Sequence, residues 1–317
     1  MSRLRRAVPS AAASVRGKTV VVTGAARGLG AAVAQRLASR GANLALVGLE
    51  PAELEETAAR CRTQMGAEAT ARTWDADVTD HDRMRAVAAE VAETFGHVDV
   101  VVANAGIAIG GPYASSDPAA FHRVIEVNLV GSAVTARAFL PALLAVQGYF
   151  LQVASLAAVV PAPLMSAYCA SKAGVEAFAR VLHTEVAHRG VDVGVAYLSW
   201  TDTDMVRASD ADDVLRQLRA RLPGPAGKTA PLGPAADRLA AGIARRSASV
   251  YGQPWIRLVQ WLPRSAIGAA VGPRGSREVA RIDEYLQATA DTRLLPLGPG
   301  GRAATEAPRQ ATKTGSQ

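Results

Sequence analysis

The chain has 317 residues, of which 49% are hydrophobic and 20% are charged, a composition typical of a globular protein with one large domain and an appendage. Its formal net charge of +7 is compatible with binding to nucleic acid, to an anionic cofactor or to a membrane surface. No basic stripe with interleaved aromatic residues appears, which argues against binding to nucleic acid. The two cysteines, Cys61 and Cys169, have neither metal-site spacing nor a disulfide framework, so we expect no metal and a reducing, cytoplasmic location.

The N-terminal segment 1–16 is a basic tail that carries four arginines and no apolar core of signal-peptide length. No run of about 18 uncharged apolar residues follows, so no helix is clearly predicted to span a bilayer.

From residue 17 onward, short apolar runs alternate with longer helical patterns. Strands are predicted at 18–23, 42–48, 69–77, 98–106, 148–155 and 191–199, with a seventh near 249–252. Helices are predicted at 29–39, 52–63, 82–95, 118–146 with a bend at Pro141, and 165–188. Continuous apolar strands that alternate with helices indicate an α/β fold with a doubly wound parallel sheet, which binds ligands at the carboxyl ends of its strands.

The first predicted strand runs into a glycine-rich loop, TGAARGLG at 23–30, which opens the first predicted helix. Gly24, Gly28 and Gly30 permit positive φ and close backbone approach. The helix N-terminus beyond them offers free N–H groups to a pyrophosphate. No Gly-Lys-Ser/Thr follows, so the loop is not a P-loop.

Residues 166–174, SAYCASKAG, place Tyr168 and Lys172 four apart, on one face of a predicted helix. Taken alone, this spacing is most simply an accident of an amphipathic helix. Three further features accompany it: Asp77 ends the third strand, ANAG at 103–106 ends the fourth, and Asn128 lies on the long helix.

Ser155 ends the fifth strand, thirteen residues before Tyr168. Each of these polar residues could separately be a helix cap or a turn former. Together with the glycine loop, their order and spacing over residues 17–205 resemble the short-chain dehydrogenase/reductase family.

The resemblance implies a Rossmann-type fold and an NAD(P)-dependent oxidoreductase that interconverts an alcohol and a ketone or aldehyde. Its catalytic residues would be Asn128, Ser155, Tyr168 and Lys172. The cofactor-binding residues that the resemblance implies are Thr23, Gly24, Arg27, Gly28, Leu29, Gly30, Asp77, Val78, Asn104, Ala105, Gly106, Tyr168, Lys172 and Thr203.

In this family pattern, Tyr168 exchanges a proton with the substrate and Ser155 holds the substrate oxygen. A tyrosine has an ordinary pKa of about 10, and we expect the Lys172 cation to lower that pKa by favouring the phenolate. Lys172 would also hold the nicotinamide ribose, and Asn128 would support a water that leads protons to Lys172.

The resemblance also implies a division of the chain. Residues 17–252 would form the catalytic domain, with a substrate lid at about 205–232. Residues 253–295 would be a C-terminal helical extension, and the polar, Pro/Gly-rich segment 296–317 is predicted to be disordered.

Two departures from the family matter for function. Gly48 stands where an aspartate often grips the ribose of NAD, and Arg27 could meet a 2′-phosphate, so NADP is favoured over NAD. Glu50 argues the other way if it turns inward. After the sixth strand, Ser199-Trp200 replaces the usual Pro-Gly, which is expected to place a tryptophan beside the nicotinamide pocket.

Two other functions stay open at this point: a catalytically weak cofactor-binding sensor or scaffold, and an isomerase or dehydratase on the same fold. A lipophilic substrate is predicted from the apolar side chains of the lid. These are Met205, Val206, Val214, Leu215, Leu218 and Leu222.

The two long helices carry apolar residues over more than one stripe, which predicts a homo-oligomer. The segment 253–272 combines tryptophans with arginines in the pattern of an interfacial helix. It predicts either peripheral contact with a membrane or packing of this face on the protein's own core.

Overall fold

The protein is described by a computed structural model over residues 14–282 and 297–306. Seven parallel strands form one sheet in the order β3-β2-β1-β4-β5-β6-β7. The strands are β1 (Thr19–Thr23), β2 (Asn43–Gly48), β3 (Ala71–Asp75), β4 (Val100–Ala103), β5 (Tyr149–Val153), β6 (Asp192–Tyr197) and β7 (Ser249–Tyr251). The predicted doubly wound Rossmann-type sheet is confirmed.

Helices cover both faces of the sheet. They are α1 (Gly28–Ala38), α2 (Pro51–Arg62), α3 (His81–Phe95), α4 (Pro118–Ile125), α5 (Gly131–Val146), α6 (Ser166–Val186), α7 (Asp204–Ala211), α8 (Asp213–Ala220), α9 (Leu232–Ala244), α10 (Ile256–Gln260), α11 (Arg264–Arg281) and α12 (Gly298–Glu306). Short 3₁₀ turns occur at Tyr113–Ser115, Leu156–Ala158, Ala187–Arg189 and Gly224–Gly227, and a π turn spans Glu126–Val130.

The central strands form because they are short β-branched runs that can be buried on both sides. In β1, Val20 and Val22 enter the core on one face of the sheet, whereas Val21 enters the core on the other face. The strand order reverses between β1 and β4, and ligands of such sheets bind in the crevice at this point.

The long helical run Pro118–Val146 differs in detail from the prediction. Its irregularity is the π turn between α4 and α5, and Pro141 lies inside α5 without ending it. This run is apolar and long enough to cross a bilayer by length and composition alone. Its buried side chains, among them Val124 and Phe139, belong to the core against the sheet.

The C-terminal extension begins after β7 and is divided by Pro263 into α10 and α11. Ile256 is fully buried, whereas Leu258, Trp261 and Leu262 are exposed. One side of α10 therefore packs on the core, and the opposite side leaves apolar residues uncovered. Membrane contact through 253–272 stays a prediction.

The segment 296–317 was expected to be disordered, but the structure has helix α12 inside it. Gly298, Gly301 and Ala304 of this helix are buried, because it packs against α7. Most of the predicted basic tail and part of the extension, 1–13 and 283–296, lie outside the described residues, as do 307–317.

Candidate active site

A cleft of about 250 Å³, partly open to solvent, lies at the carboxyl ends of the strands. Most of the predicted site residues line it. They are Gly24, Arg27, Gly28, Leu29, Asp77, Val78, Asn104, Ala105, Gly106, Ser155, Tyr168, Lys172 and Thr203. Thr23, Gly30 and Asn128 lie behind this surface.

The glycine loop packs too closely for side chains. Gly24 has a φ of +63°, and a Cβ atom there would lie 2.8 Å from the Cα atom of Ala105. A Cβ atom at Gly30 would collide with the carbonyl oxygen of Gly24. The loop therefore holds the N-terminus of α1, including Leu29, against the floor of the cleft.

Thr23 and Asn104 join the ends of β1 and β4. The Thr23 hydroxyl accepts hydrogen bonds from the backbone amides of Asn104 (3.0 Å) and Ala105 (3.2 Å). The Asn104 amide donates to the carbonyls of Thr23 (3.0 Å) and Gly24 (3.1 Å). These two residues fix the switch point of the sheet on which the cleft is built.

Asp77 lies at the β3 end of the cleft, next to Val78. Its carboxylate accepts hydrogen bonds from the Thr79 amide (2.9 Å) and hydroxyl (2.8 Å), and from Arg123 Nη2 (2.5 Å). Partial burial acts to raise the pKa of Asp77, but the bonds from Thr79 and Arg123 lower it below its usual value.

Tyr168 and Lys172 lie one turn apart on α6, as predicted, with Lys172 Nζ 5.7 Å from the centre of the tyrosine ring. Lys172 is buried and donates a hydrogen bond of 3.1 Å to the carbonyl of Val153 at the end of β5. Ser155 hydrogen-bonds Tyr168, and its oxygen also accepts a bond from the Ala157 amide, so it caps the 3₁₀ turn as well.

The expected lowering of the tyrosine pKa is not found in the cofactor-free protein. Burial raises the pKa of Tyr168 to about 12, although the bond to Ser155 acts against this shift. Burial also lowers the pKa of Lys172 to about 8. Removal of both groups from water disfavours their charged forms, which accounts for the direction of both shifts.

Asn128 is fully buried in the π turn, where the extra residue turns its side chain towards the sheet. Its carbonyl oxygen accepts from the Ile107 amide (2.8 Å), and its amide donates to the Ile107 carbonyl (2.9 Å) and to Ser171 (2.9 Å). A Cβ atom at Gly106 would lie 3.1 Å from Asn128 Oδ1 and 3.5 Å from Lys172 Nζ. Asn128 and Lys172 therefore both border the backbone of Gly106.

Arg27 is not free to meet a phosphate. Its guanidinium forms a two-pronged hydrogen-bonded pair with Glu50, and Nη2 lies 3.3 Å from Glu53 Oε1. Nη1 also lies 4.0 Å from Asp204 Oδ2. Glu50 does turn inward, and three carboxylates, those of Glu50, Glu53 and Asp204, lie beside this one guanidinium.

Trp200 does not line the cleft, contrary to the prediction. Its ring lies 5.4 Å from the guanidinium of Arg219 on α8, and its carbonyl accepts a bond from the Ala230 amide (2.8 Å). Trp200 therefore contacts the lid and does not border the cleft. Thr203 caps α7 and lies against Gly28, as a residue over the glycine loop should.

Several lining residues were missed by the sequence reading. The lid contributes Met205 and Val206 as predicted, whereas Val214 and Leu215 are buried, with Leu215 against Gly110. The missed lining residues include a C-terminal group, namely Leu297, Gly298, Pro299, Gly300, Gly301 and Ala304. Their glycines and proline read as a tail, and no local pattern signals their contact with the cleft.

Comparison with known proteins decides the family. The model of the short chain dehydrogenase family matches residues 18–214. The chain belongs to the short-chain dehydrogenase/reductase family. It is an oxidoreductase of this family.

The chain is 39% identical to a cis-4-hydroxycyclohexanecarboxylate dehydrogenase from Sinomonas cyclohexanicum over 209 residues. These residues cover 65% of this chain and 82% of the relative. A short-chain dehydrogenase/reductase from Burkholderia phymatum, solved with NAD, is 26% identical with a TM-score of 0.68, over 78% of this chain and 93% of that one. A metagenomic short-chain oxidoreductase solved with NADP is 33% identical with a TM-score of 0.54, over 58% of this chain and 82% of that one. Members of the short-chain dehydrogenase/reductase family that resemble this chain thus bind either nicotinamide cofactor.

Proposed function

We propose that the chain interconverts a secondary alcohol and a ketone by hydride transfer, with Tyr168 as the general acid/base. The observation that carries this proposal is the group of Tyr168, Ser155 and Lys172, which lines one cleft together with a glycine loop and a helix N-terminus. The cleft fits a dinucleotide because side chains are excluded at Gly24 and Gly30. A bound nicotinamide cofactor would supply or accept the hydride.

The chain's own residues would handle the proton. At neutral pH Tyr168 keeps its proton, because its pKa is about 12, and a protonated phenol is the form that carbonyl reduction needs. Tyr168 Oη would donate this proton to the substrate oxygen while Ser155 holds that oxygen in place. The Lys172 ammonium would stabilise the resulting phenolate.

Asn128 would position the backbone beside Lys172 rather than touch the substrate. Its bonds to Ile107 and Ser171 fix the π turn behind Gly106, next to Lys172. A water bound in this region would return a proton from solvent to Lys172, as the family resemblance implies.

We propose a lipophilic, ring-bearing alcohol or ketone as the substrate class. Ile107, Met205 and Val206 contribute apolar side chains to the lining of the cleft. The relative named for a hydroxycyclohexane carboxylate points to the same kind of ring.

The test is turnover on a matched panel of cyclic ketones and sugar ketones, and faster turnover of the sugars would contradict this substrate class.

We propose NAD rather than NADP as the cofactor. The support is the pairing of Arg27 with Glu50 and Glu53, which leaves excess negative charge where a 2′-phosphate would lie. A carboxylate beside this phosphate is repulsive, whereas it can accept a hydrogen bond from a ribose hydroxyl.

We therefore expect the kcat/KM for NADH to exceed that for NADPH. Glu50→Ala should shrink this ratio by about tenfold or more, which is about 1.4 kcal/mol, because it frees Arg27 and removes one repulsive charge. Glu56→Ala is the matched control, since Glu56 is exposed on the same helix and pairs with Arg60. A wild-type preference for NADPH would contradict the assignment.

We propose that the protein is a homodimer related by a two-fold axis. Most apolar residues predicted on the long helices are buried against the sheet, but Val130 and Val181 are 40% and 57% exposed. Phe178 lies between them in the sequence and is only partly buried. An apolar outer face of this kind is usually covered by a second copy.

Light scattering should give twice the chain mass at micromolar concentration. Val181→Arg should shift the protein towards monomer, because it buries a charge at the contact, whereas Ala52→Arg on the exposed side of α2 should not. A monomer mass for the wild type would contradict the dimer.

We place the protein in the cytoplasm, in keeping with its two free thiols, Cys61 and Cys169.

A further inference from the structure

The residues 297–306, here called the strap, lie along the cofactor cleft. At one side, a Cβ atom at Gly298 would lie 3.2 Å from the carbonyl oxygen of Asp204 on α7. At the base of the cleft, the Leu297 amide donates a hydrogen bond of 2.8 Å to the carbonyl of Ala108. Residues 297–301 and Ala304 themselves line the cleft.

At the other side, Arg123 holds the strap. Its Nε donates a hydrogen bond of 2.8 Å to the carbonyl of Ala304, while its Nη2 donates to Asp77 (2.5 Å). The side chain of Arg123 is only 6% exposed. This buried cation therefore joins the strap directly to the carboxylate that borders the β3 end of the cleft.

We propose that the strap is a further part of the dinucleotide-binding site, which covers the bound cofactor from the solvent side, and that Arg123 is the positioning residue that holds it closed. This inference rests on the proposed function. A dinucleotide that bridges the cleft from Asp77 to Tyr168 has to pass beneath the strap. The strap must lift for the cofactor to enter or leave, so it governs cofactor release, a step that limits many enzymes with closing segments.

The geometry suits such a movable cover. The strap touches the rest of the protein through backbone groups and small residues, at Gly298, Gly301 and Ala304. The Gly300 backbone comes near Arg27, since a Cβ atom there would lie 4.0 Å from Arg27 Cδ. Its detachment would expose only small side chains such as Ala304, and the main cost would be the hydrogen bonds from Arg123 to Ala304 and from the Leu297 amide to Ala108.

The first test measures the release of NADH after excess NAD is mixed with the NADH complex, followed by NADH fluorescence. Ala304→Phe should raise the release rate by about tenfold or more, because Ala304 is 3% exposed and a larger side chain would hold the strap open. Thr305→Phe is the matched control, since Thr305 is exposed on the same helix, and it should release NADH at the wild-type rate. Equal rates in all three proteins would overturn the proposal.

Arg123→Met separates the strap from Asp77. It should accelerate release like Ala304→Phe, because both free the same segment. Acceleration by Arg123→Met but not by Ala304→Phe would mean that Arg123 acts through Asp77 alone, and the strap would play no part.

The second test compares the wild-type chain with Ala304→Phe and uses no activity measurement. Arg302 is exposed on α12, so trypsin cleavage after it reports how often the strap opens. Saturating NADH should slow this cleavage, and Ala304→Phe should abolish the protection. If NADH binds, as verified by fluorescence, but the cleavage rate of the wild type is unchanged, the strap proposal is contradicted and the proposed function is not. No binding of NADH at all would contradict the proposed function, and the strap proposal with it.

Discussion

Tyr168→Phe is expected to lower turnover by about 10²–10⁴-fold while it leaves the fold and cofactor binding intact, since general acid–base groups contribute on this scale. The substitution removes only the hydroxyl that bonds Ser155, and the ring keeps its place on α6. The measurement is kcat for ketone reduction, together with the affinity for NADH by fluorescence titration.

Tyr113→Phe is the control, because Tyr113 is 70% exposed and lies away from the cleft. It should leave kcat unchanged. If Tyr168→Phe reduced ketones at the wild-type rate, Tyr168 would not be the general acid, and the mechanism would be wrong.

Lys172 should give the reaction a pH limit near 8. Burial lowers the pKa of Lys172 to about 8, so the ammonium loses its charge as the pH rises through this value rather than near its usual pKa of about 10.4. Only the charged form can stabilise the phenolate that Tyr168 leaves after it gives up its proton. The kcat/KM for NADH, which reports the free enzyme, should therefore fall about tenfold per pH unit above about pH 8.

Lys172→Met should lower kcat/KM by about 10²-fold or more below pH 8, because it removes the charge, and the two proteins should converge as the pH rises above 8. The limb near pH 8 should disappear in this variant. A wild-type profile that stays flat well above pH 8, or a limb that persists in Lys172→Met, would contradict the role of Lys172.

The sheet and the placement of Tyr168 and Lys172 on α6 could be predicted because their signals are local. Strand β1 is a β-branched run, and Gly30 is required by a contact within its own loop, because a Cβ atom there would collide with the carbonyl oxygen of Gly24. Tyr168 and Lys172 share a face by helical geometry alone. Such features depend on local backbone geometry, which can be read from a short stretch of sequence.

The features that the sequence did not predict depend on contacts between distant segments. The pairing of Arg27 with Glu50 depends on how two loops approach each other across β1 and β2. Trp200 turns to Arg219 because the lid folds back over it.

The pKa of Tyr168 was expected to fall because proximity to Lys172 was visible in the sequence, whereas the depth of burial was not. The strap reads as a polar tail rich in glycine and proline. Only the buried Arg123, far away in the sequence, reveals that it is held.

The most direct test of the account is the nicotinamide absorbance of purified full-length protein mixed with NADH and a panel of cyclic ketones. We predict loss of the NADH band with formation of an equal amount of the cyclic alcohol, and no such loss in Tyr168→Phe. The account would be contradicted by a protein that binds NADH yet neither oxidises it with any ketone of the panel nor reduces NAD with any of the corresponding alcohols.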